Sequence, residues 1–526
     1  MSQVNKSMSL ANPSPPFTDN IQKIAAAIGA IGLLFLFIAA FGGFVGIQGI
    51  MLTTSLLMIA VGTIVYSWRA YSDIPEGIKN NGAWLSQLTN KGLWAWITGI
   101  IITGFYVFLY WFPSYLGKGG DGINTGLIGF FDPLSQALKG QPASEWFVYG
   151  TLYTLAILVF GFKFILKYRH NPYQIIRTIS VMFFQLGFAF LLPEILQRLN
   201  QPYYDFKNMW PLNYYFFFDW NIEGFLSSGN MGLFMLFWGV IMIFAVSPIL
   251  TYFYGKRWYC SWVCGCGGLA ETAGDPFRHL SDKSLKAWKI ERWVIYSVLV
   301  FAIVMTVAVL FSFFSKNPNN FVITKTAFLV IVLALMAFLG GIAYLYRNDL
   351  KETGKYTYQI ILSIFGIISA LTLIAYITGS WNVFFIDSYS LRSWYGFAVG
   401  AAFSGVVGVG FYPLMGSRVW CRFGCPMAAI LGIQQKLFSR FRITTNGGQC
   451  ISCGNCSTYC EMGIDVRSYA QKGQNVVRAS CVGCGICAAV CPRGVLRLEN
   501  GSADISERTT ELKAIHITED QIKILG

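Results

Sequence analysis

Charge is scarce in this chain. Asp, Glu, Lys and Arg make up 12% of its 526 residues, about half the share of roughly 25% found in soluble domains. With 55% hydrophobic and 17% aromatic residues, this excludes an ordinary soluble fold and places most of the chain in lipid. Histidine is nearly missing too: there are only His170, His279 and His516. None lies in an apolar stretch, and a membrane b-type haem usually needs two axial His within spans, so no haem is expected. His170 and His279 fall in basic loops, where simple solvation is the expectation. No Cys-x2-Cys-His, no glycine fingerprint after a strand and no phosphate loop is present, which argues against nicotinamide binding and NTP hydrolysis. Cysteine is absent before Cys260, and all 13 lie between Cys260 and Cys491. That is not the spread of a secreted disulfide scaffold, and it fits reducing surroundings. The opening MSQVNKSMSLANPSPPFTDN has no basic n-region leading into a short apolar core, so no signal peptide is expected.

What is present in abundance is apolar sequence in long runs. About ten stretches, 24–45, 49–67, 93–112, 146–166, 178–196, 230–253, 292–314, 324–346, 357–378 and 392–414, can each span about 30 Å of hydrocarbon as a helix. Every even-numbered exit is basic: Arg69 and Lys91; Lys163, Lys167, Arg169 and Arg177; Lys256, Arg257, Arg278 and Lys286; Arg347, Lys351 and Lys355; Arg418, Arg422, Lys436 and Arg440. By the positive-inside rule both termini are expected in the cytoplasm. The net charge of +14 is therefore topological and no nucleic-acid footprint. The opposite side carries two longer loops, 113–145 and 197–229, and the second holds the aromatic run YYFFFDW, 214–220. Such aromatics are expected at the membrane interface, with a substrate-lining role as the lesser alternative. Glu194, at the outer end of the fifth stretch, is expected to snorkel to the interface, and it is the carboxylate to test as proton acceptor if a quinol is oxidised on that side.

Near the C-terminus the chain reads Cys450-x2-Cys453-x2-Cys456-x3-Cys460, then Cys481-x2-Cys484-x2-Cys487-x3-Cys491-Pro492. Three cysteines at intervals of three wrap one [4Fe-4S] cluster, and the fourth turns to the other cluster. The expected sets are crossed: Cys450, Cys453, Cys456 and Cys491 for cluster one, and Cys481, Cys484, Cys487 and Cys460 for cluster two. A structural zinc ribbon is the alternative, but it uses two separated pairs and closes at four ligands.

A second cysteine pattern occurs twice. Gly255-Lys-Arg257-Trp-Tyr259-Cys260-x3-Cys264 follows the sixth stretch, and Gly416-Ser-Arg418-Val-Trp420-Cys421-x3-Cys425-Pro426 follows the tenth. Each lies just after a proline, Pro248 or Pro413. Gly, Arg, an aromatic and Cys-x3-Cys share one register, which marks an internal repeat and two related halves of the bundle. The four thiols of Cys260, Cys264, Cys421 and Cys425 could hold a further cluster, Cu(I), or nothing, or act as redox thiols. Arg257, Arg418 and Arg422 are expected to lower their pKa. Cys266 has no counterpart in the second copy and is expected to be a packing residue.

Several spans, cytoplasmic Cys-x3-Cys motifs and a C-terminal pair of ferredoxin runs together resemble the membrane polyferredoxins, the NapH, NosR and CcoG (FixG, RdxA) group, over about residues 230–500. The resemblance implies a bacterial inner-membrane carrier, or a quinol dehydrogenase-type subunit, passing electrons between quinone or a cytoplasmic donor and a redox partner protein. It also implies an alternative, an assembly factor that reduces copper and delivers it to a cytochrome oxidase or a copper reductase. Two residues depart from the pattern: Gly265 stands where the group has Pro after Cys-x3-Cys, and Glu461 follows Cys460 where ferredoxin runs usually carry Pro. The latter puts in doubt the turn after Cys460 and the potential of its cluster. The expected fold is mainly α: a polytopic helical membrane bundle with a C-terminal α+β two-cluster ferredoxin-like domain. Its parts are a cytoplasmic tail 1–20, a membrane domain 21–439 and a ferredoxin-like domain 440–526.

Overall fold

Hydrocarbon offers no water to backbone N–H and C=O groups, so a chain this apolar must satisfy them within helices. The structure, a computed structural model, describes residues 19–72, 92–120, 123–316, 323–348, 350, 357–446, 449–500, 514–518 and 521–525. Nearly all of the expected N-terminal tail and the exit lysines Lys91, Lys351 and Lys355 lie outside the described residues. Nine described helices are long and apolar enough to cross a membrane: α1 Asn20–Ala40, α2 Gln48–Ser72, α3 Leu93–Trp111, α4 Glu145–Lys167, α5 Pro172–Arg198, α6 Gly229–Tyr254, α7 Leu285–Lys316, α8 Lys325–Leu345 and α9 Thr357–Ile377. The chain is a multi-pass membrane protein.

The tenth expected span differs. It is an α-helix over Ser388–Tyr395 continued by a π-helix over Gly396–Val407, together α10, followed by a turn and the short helix Tyr412–Met415. Ser388, Ser390, Arg392 and Ser393 make its first turns too polar to match the other nine. It nevertheless runs antiparallel along α7. Tyr389 lies under Lys316, Tyr395 packs on Phe301, and Arg422, beyond its end, pairs with Glu291 at 2.7 Å. That path traverses the depth of the bundle from one end of α7 to the other.

The repeat is visible in the backbone. In both copies a π-helical stretch, Met242–Val246 or Gly396–Val407, precedes a short α-helix with proline in its first turn. Each then stops at a glycine with positive φ, Gly255 (φ 65°, ψ −178°) or Gly416 (φ 98°, ψ 170°), a conformation that L side chains resist. In each copy the second cysteine, Cys264 or Cys425, is the extended N-cap of the next helix, Gly265–Thr272 or Pro426–Phe438.

The loop after α5 corrects the interfacial expectation. Phe216 and Phe218 are buried, Trp210 Nε1 donates to Thr306 Oγ1 of α7 at 2.9 Å, and Trp238 Nε1 of α6 donates to the Phe206 carbonyl at 2.9 Å. Thr306 and Trp238 sit well inside their helices, so the loop re-enters the bundle. Irregular backbone at that depth is tolerated because protein encloses it. Of the run 214–220, Trp220 remains exposed. Glu194 is buried and faces Lys139 Nζ at 3.7 Å, and Asp219 pairs with Arg392 at 2.7 Å.

Beyond α10 the chain forms a small α+β unit. Strands β1 (Arg442–Thr445) and β2 (Leu496–Glu499) pair antiparallel with Arg442 opposite Glu499. Between them lie the short helices Asn455–Thr458, Val466–Gln471 and Ile486–Ala489. A further hairpin, β3 (Ala514–Thr518) and β4 (Gln521–Leu525), follows and holds His516. His170, expected in solvent, is half-buried beside Tyr168.

Candidate metal centres

Both cysteine runs of the α+β unit fold alike. Ser452 (φ 57°) and Gly483 (φ 63°) precede the second cysteine of each run in the left-handed region, and Gly454 (φ 80°) and Gly485 (φ 75°) follow it as helix N-caps. These reversals curl three cysteines around one point, as a cubane requires. One cavity is lined by Cys450, Cys453, Cys456 and Cys491, together with Arg467, Arg493 and Pro492. Cys460 is an electrostatic neighbour of Cys481 and Cys487. The structure thus gathers three cysteines of the first run with the last of the second, and sets Cys460 beside the second run.

The two runs sit differently. Cys453 is exposed, whereas Cys481 and Cys487 are buried in the seam with the membrane bundle. There the backbone carbonyls of the second run accept bonds from the bundle: Tyr173 to Gly483 (2.9 Å), Gln174 to Cys484 (2.8 Å), Ser261 to Val482 (2.8 Å) and Gln435 to Cys481 (2.8 Å). Gly483 has no room for a side chain, since an added Cβ would lie 2.6 Å from Arg257 Cβ.

Glu461 is the pin of this seam. It is fully buried and meets Arg278 Nη1 at 2.9 Å and Arg418 Nε at 3.0 Å, while Ser281 Oγ donates to its carbonyl at 2.7 Å. Burial alone would raise its carboxyl pKa, but Arg278, Arg418 and Arg177 together hold it below the usual range. Arg418 and Arg177 also pair with buried Glu271, and Arg278 joins Asp275 at 3.2 Å, which Lys167 and Lys163 meet at 2.7 and 3.2 Å. Pro at 461 would keep the carbonyl but could supply none of the ion pairs. The turn after Cys460 closes instead on Gly463 (φ 65°), with Ile464 N–H donating to Cys460 Sγ at 3.4 Å.

The four thiols of the repeat, Cys260, Cys264, Cys421 and Cys425, lie in one buried core and within electrostatic reach of one another. Arg418 ties the copies together, with Nη1 at 3.5 Å from Cys421 Sγ and 3.3 Å from the Cys260 carbonyl. The expected lowering of thiol pKa by arginine does not hold. Burial pushes Cys260 up to about 12 and raises Cys421 and Cys425, against the pull of Lys256 on Cys260 and of Arg418 on Cys260 and Cys421. Arg422 is taken by Glu291, and Arg257 by Asn500 (2.8 Å) and the Phe441 ring (4.5 Å). Cys264 alone of the four is lowered, because the Cys266 thiol hydrogen-bonds to its sulfur. Cys266, expected to be packing, is therefore a neighbour of the site. Lys207 of the re-entrant loop also lies in electrostatic reach of Cys264 and Cys266. No motif pointed to that loop.

Gly265 has a steric cause: an added Cβ would lie 2.3 Å from Gln185 Oε1. Its counterpart Pro426 likewise opens the following helix, where proline is favoured. Gly265→Pro is expected to force Gln185 aside and destabilise the bundle by about 1–3 kcal/mol, read as a lower Tm of the purified protein. An unchanged Tm would show that Gln185 yields freely.

Lys256 tests whether negatively charged clusters fit these residues. It is 1% exposed, and its Nζ reaches the Ala479 carbonyl at 2.5 Å and that of Ala428 at 3.5 Å. Among the described residues no carboxylate pairs with it. It lies in electrostatic reach of Cys260 on one side and Cys481 on the other. A buried ammonium without an anion is costly. Thiolate-ligated clusters on both sides would supply the missing negative charge, so the residues fit the group.

Residues 449–496 match the family model described as a 4Fe-4S dicluster domain, and 236–284 and 396–444 each match the one described as a 4Fe-4S binding domain. The latter pair brackets the two Cys-x3-Cys copies. A similar curated protein is "Putative electron transport protein YccM" of Escherichia coli (strain K12), 39% identical over 54 residues. The match covers 10% of this chain and 15% of that protein. No solved structure matches. The chain is thus a multi-pass membrane protein with three segments that match 4Fe-4S domain models.

Proposed function

We propose that the chain is a fixed electron relay of a bacterial inner membrane, with the ferredoxin unit and both termini on the cytoplasmic side. The proposed ligand sets are Cys450, Cys453, Cys456 and Cys491 for one [4Fe-4S] cluster and Cys481, Cys484, Cys487 and Cys460 for the other. Cys260, Cys264, Cys421 and Cys425 form a third metal centre. When bound, the clusters supply one-electron storage. The seam carries this reading: Arg418 touches Cys421, Glu461 and the Cys260 backbone, while Lys256 faces Cys260 and Cys481. The second-run site and the membrane-edge thiols therefore share one set of buried cations, and no water-filled gap needs to be crossed between them. Residues 1–20, 21–439 and 440–526 form its tail, membrane and ferredoxin-like parts. Redox exchange with quinone or a partner protein through the outer half of the bundle, past Lys207, completes the relay.

Lys256→Met provides a test. Removing a buried positive charge disfavours the reduced, more negative cluster, so the second-run potential should fall by about 50–100 mV, or about 1–2 kcal/mol for one electron. The first-run potential should not move. Equal shifts in both, or none, would contradict a shared seam. The copper-delivery alternative predicts stoichiometric copper in the purified protein, lost on Cys421→Ala. The match of both Cys-x3-Cys segments to a 4Fe-4S binding domain favours iron.

A further inference from the structure

We propose that the face of the ferredoxin unit around the first run is the docking surface for a small acidic one-electron carrier protein of the ferredoxin or flavodoxin kind. This rests on the electron-transfer reading above. The second-run loop is closed off by the bundle, its carbonyls occupied by Tyr173, Gln174, Ser261 and Gln435. The first-run loop is open: Ile451 is 56% exposed, and Ser452, Cys453, Pro492 and Arg493 are exposed beside it. Arg467, also exposed, lines the same cavity as Ile451, Cys453 and Arg493.

No carboxylate lines that cavity, and neither Arg467 nor Arg493 enters an ion pair among the described residues. Asp465, near Arg467 in the sequence, is occupied by Ser457 Oγ at 2.6 Å. The result is an apolar centre, Ile451 with Pro492, flanked by two guanidinium groups that have no ion-pair partner among the described residues and line the same cavity as the first-run cysteines. An acidic partner is steered to such a face by charge and seats on its apolar centre. One electron then leaves the carrier and one is gained by the relay. No bond forms and no proton need move.

The test measures binding of an oxidised acidic flavodoxin to the full-length, cluster-loaded protein in detergent at several ionic strengths. Affinity is expected to fall as salt rises. Arg467→Glu with Arg493→Glu should raise Kd about tenfold at low salt and flatten the salt dependence. Lys286→Glu with Lys289→Glu, an equal charge change at the exposed start of α7, should leave Kd within about twofold, since that site lies outside the cavity. EPR of the dithionite-reduced variants checks that the clusters remain. If charge reversal costs the first-run cluster, Arg467→Gln with Arg493→Gln should still raise Kd about threefold. An unchanged Kd in either arginine pair, or an equal loss in the lysine pair, overturns the surface while reducible clusters leave the relay standing. Absence of reducible clusters in the unaltered protein overturns the relay itself.

Discussion

Replacing Cys460 by serine is expected to remove the cluster of the second run and to spare that of the first. Cys460 belongs to the first run by sequence, yet in space it neighbours Cys481 and Cys487, while Cys491 closes the cavity of Cys450, Cys453 and Cys456. Serine offers a harder and far less acidic ligand, so the cluster it is asked to hold should be lost or converted to a three-iron form. EPR of the reduced protein should then show one [4Fe-4S] signal fewer. Cys491→Ser should remove the other signal. If Cys460→Ser instead abolishes the first-run signal alone, each run ligates its own cluster and the crossed sets are wrong.

The second large effect is expected at Glu461. Glu461→Ala removes the carboxylate shared by Arg278 and Arg418, leaving them only Asp275 and Glu271, and breaking a buried pair costs up to about 3–5 kcal/mol. The seam should open. Limited proteolysis should release the C-terminal unit faster, and electron exchange with the membrane-edge centre should fail while the first-run cluster persists. Glu461→Pro, the residue most ferredoxin runs carry here, should be no better than alanine because it also lacks the carboxylate. Glu461→Gln keeps the shape and some hydrogen bonding and should fall between. Protease resistance equal to the unaltered protein in Glu461→Ala would show that the carbonyl clamps hold the seam without the ion pairs.

Glu461 also marks how far the sequence could be read. As a departure from the ferredoxin pattern it was visible, but its partners Arg278 and Arg418 lie 183 and 43 residues away in the chain, and no local rule links them. The basic exits stood out in the sequence and were read there as a topological signal. Their second role was not legible: Arg177, Lys256, Arg278 and Arg418 are buried and contact the ferredoxin unit or lie in electrostatic reach of its cysteines, while Lys163 and Lys167 pair with Asp275, which in turn joins Arg278. Burial likewise reverses the expected thiol chemistry. Arg418 touches Cys421 as its spacing suggested, but desolvation of the bare thiol outweighs it. The long apolar runs gave nine spans directly, because lipid dictates helix length. The tenth was blurred by a polar first turn and a π-helical continuation that hydropathy does not distinguish. The re-entrant loop had no signature at all, since aromatic residues suit an interface and an enclosed plug equally well. The Gly265 exception became intelligible only when Gln185 was found where a side chain would stand.

An anaerobic count of iron and acid-labile sulfide in the purified full-length protein tests the relay most directly, repeated on Cys421→Ala. Three four-iron centres predict about twelve iron and twelve sulfide per chain, falling to about eight of each in the variant, with little copper in either. About eight iron in both proteins would remove the membrane-edge centre from the relay. Copper in stoichiometric amount that disappears with Cys421, or the absence of reducible iron, would contradict the account.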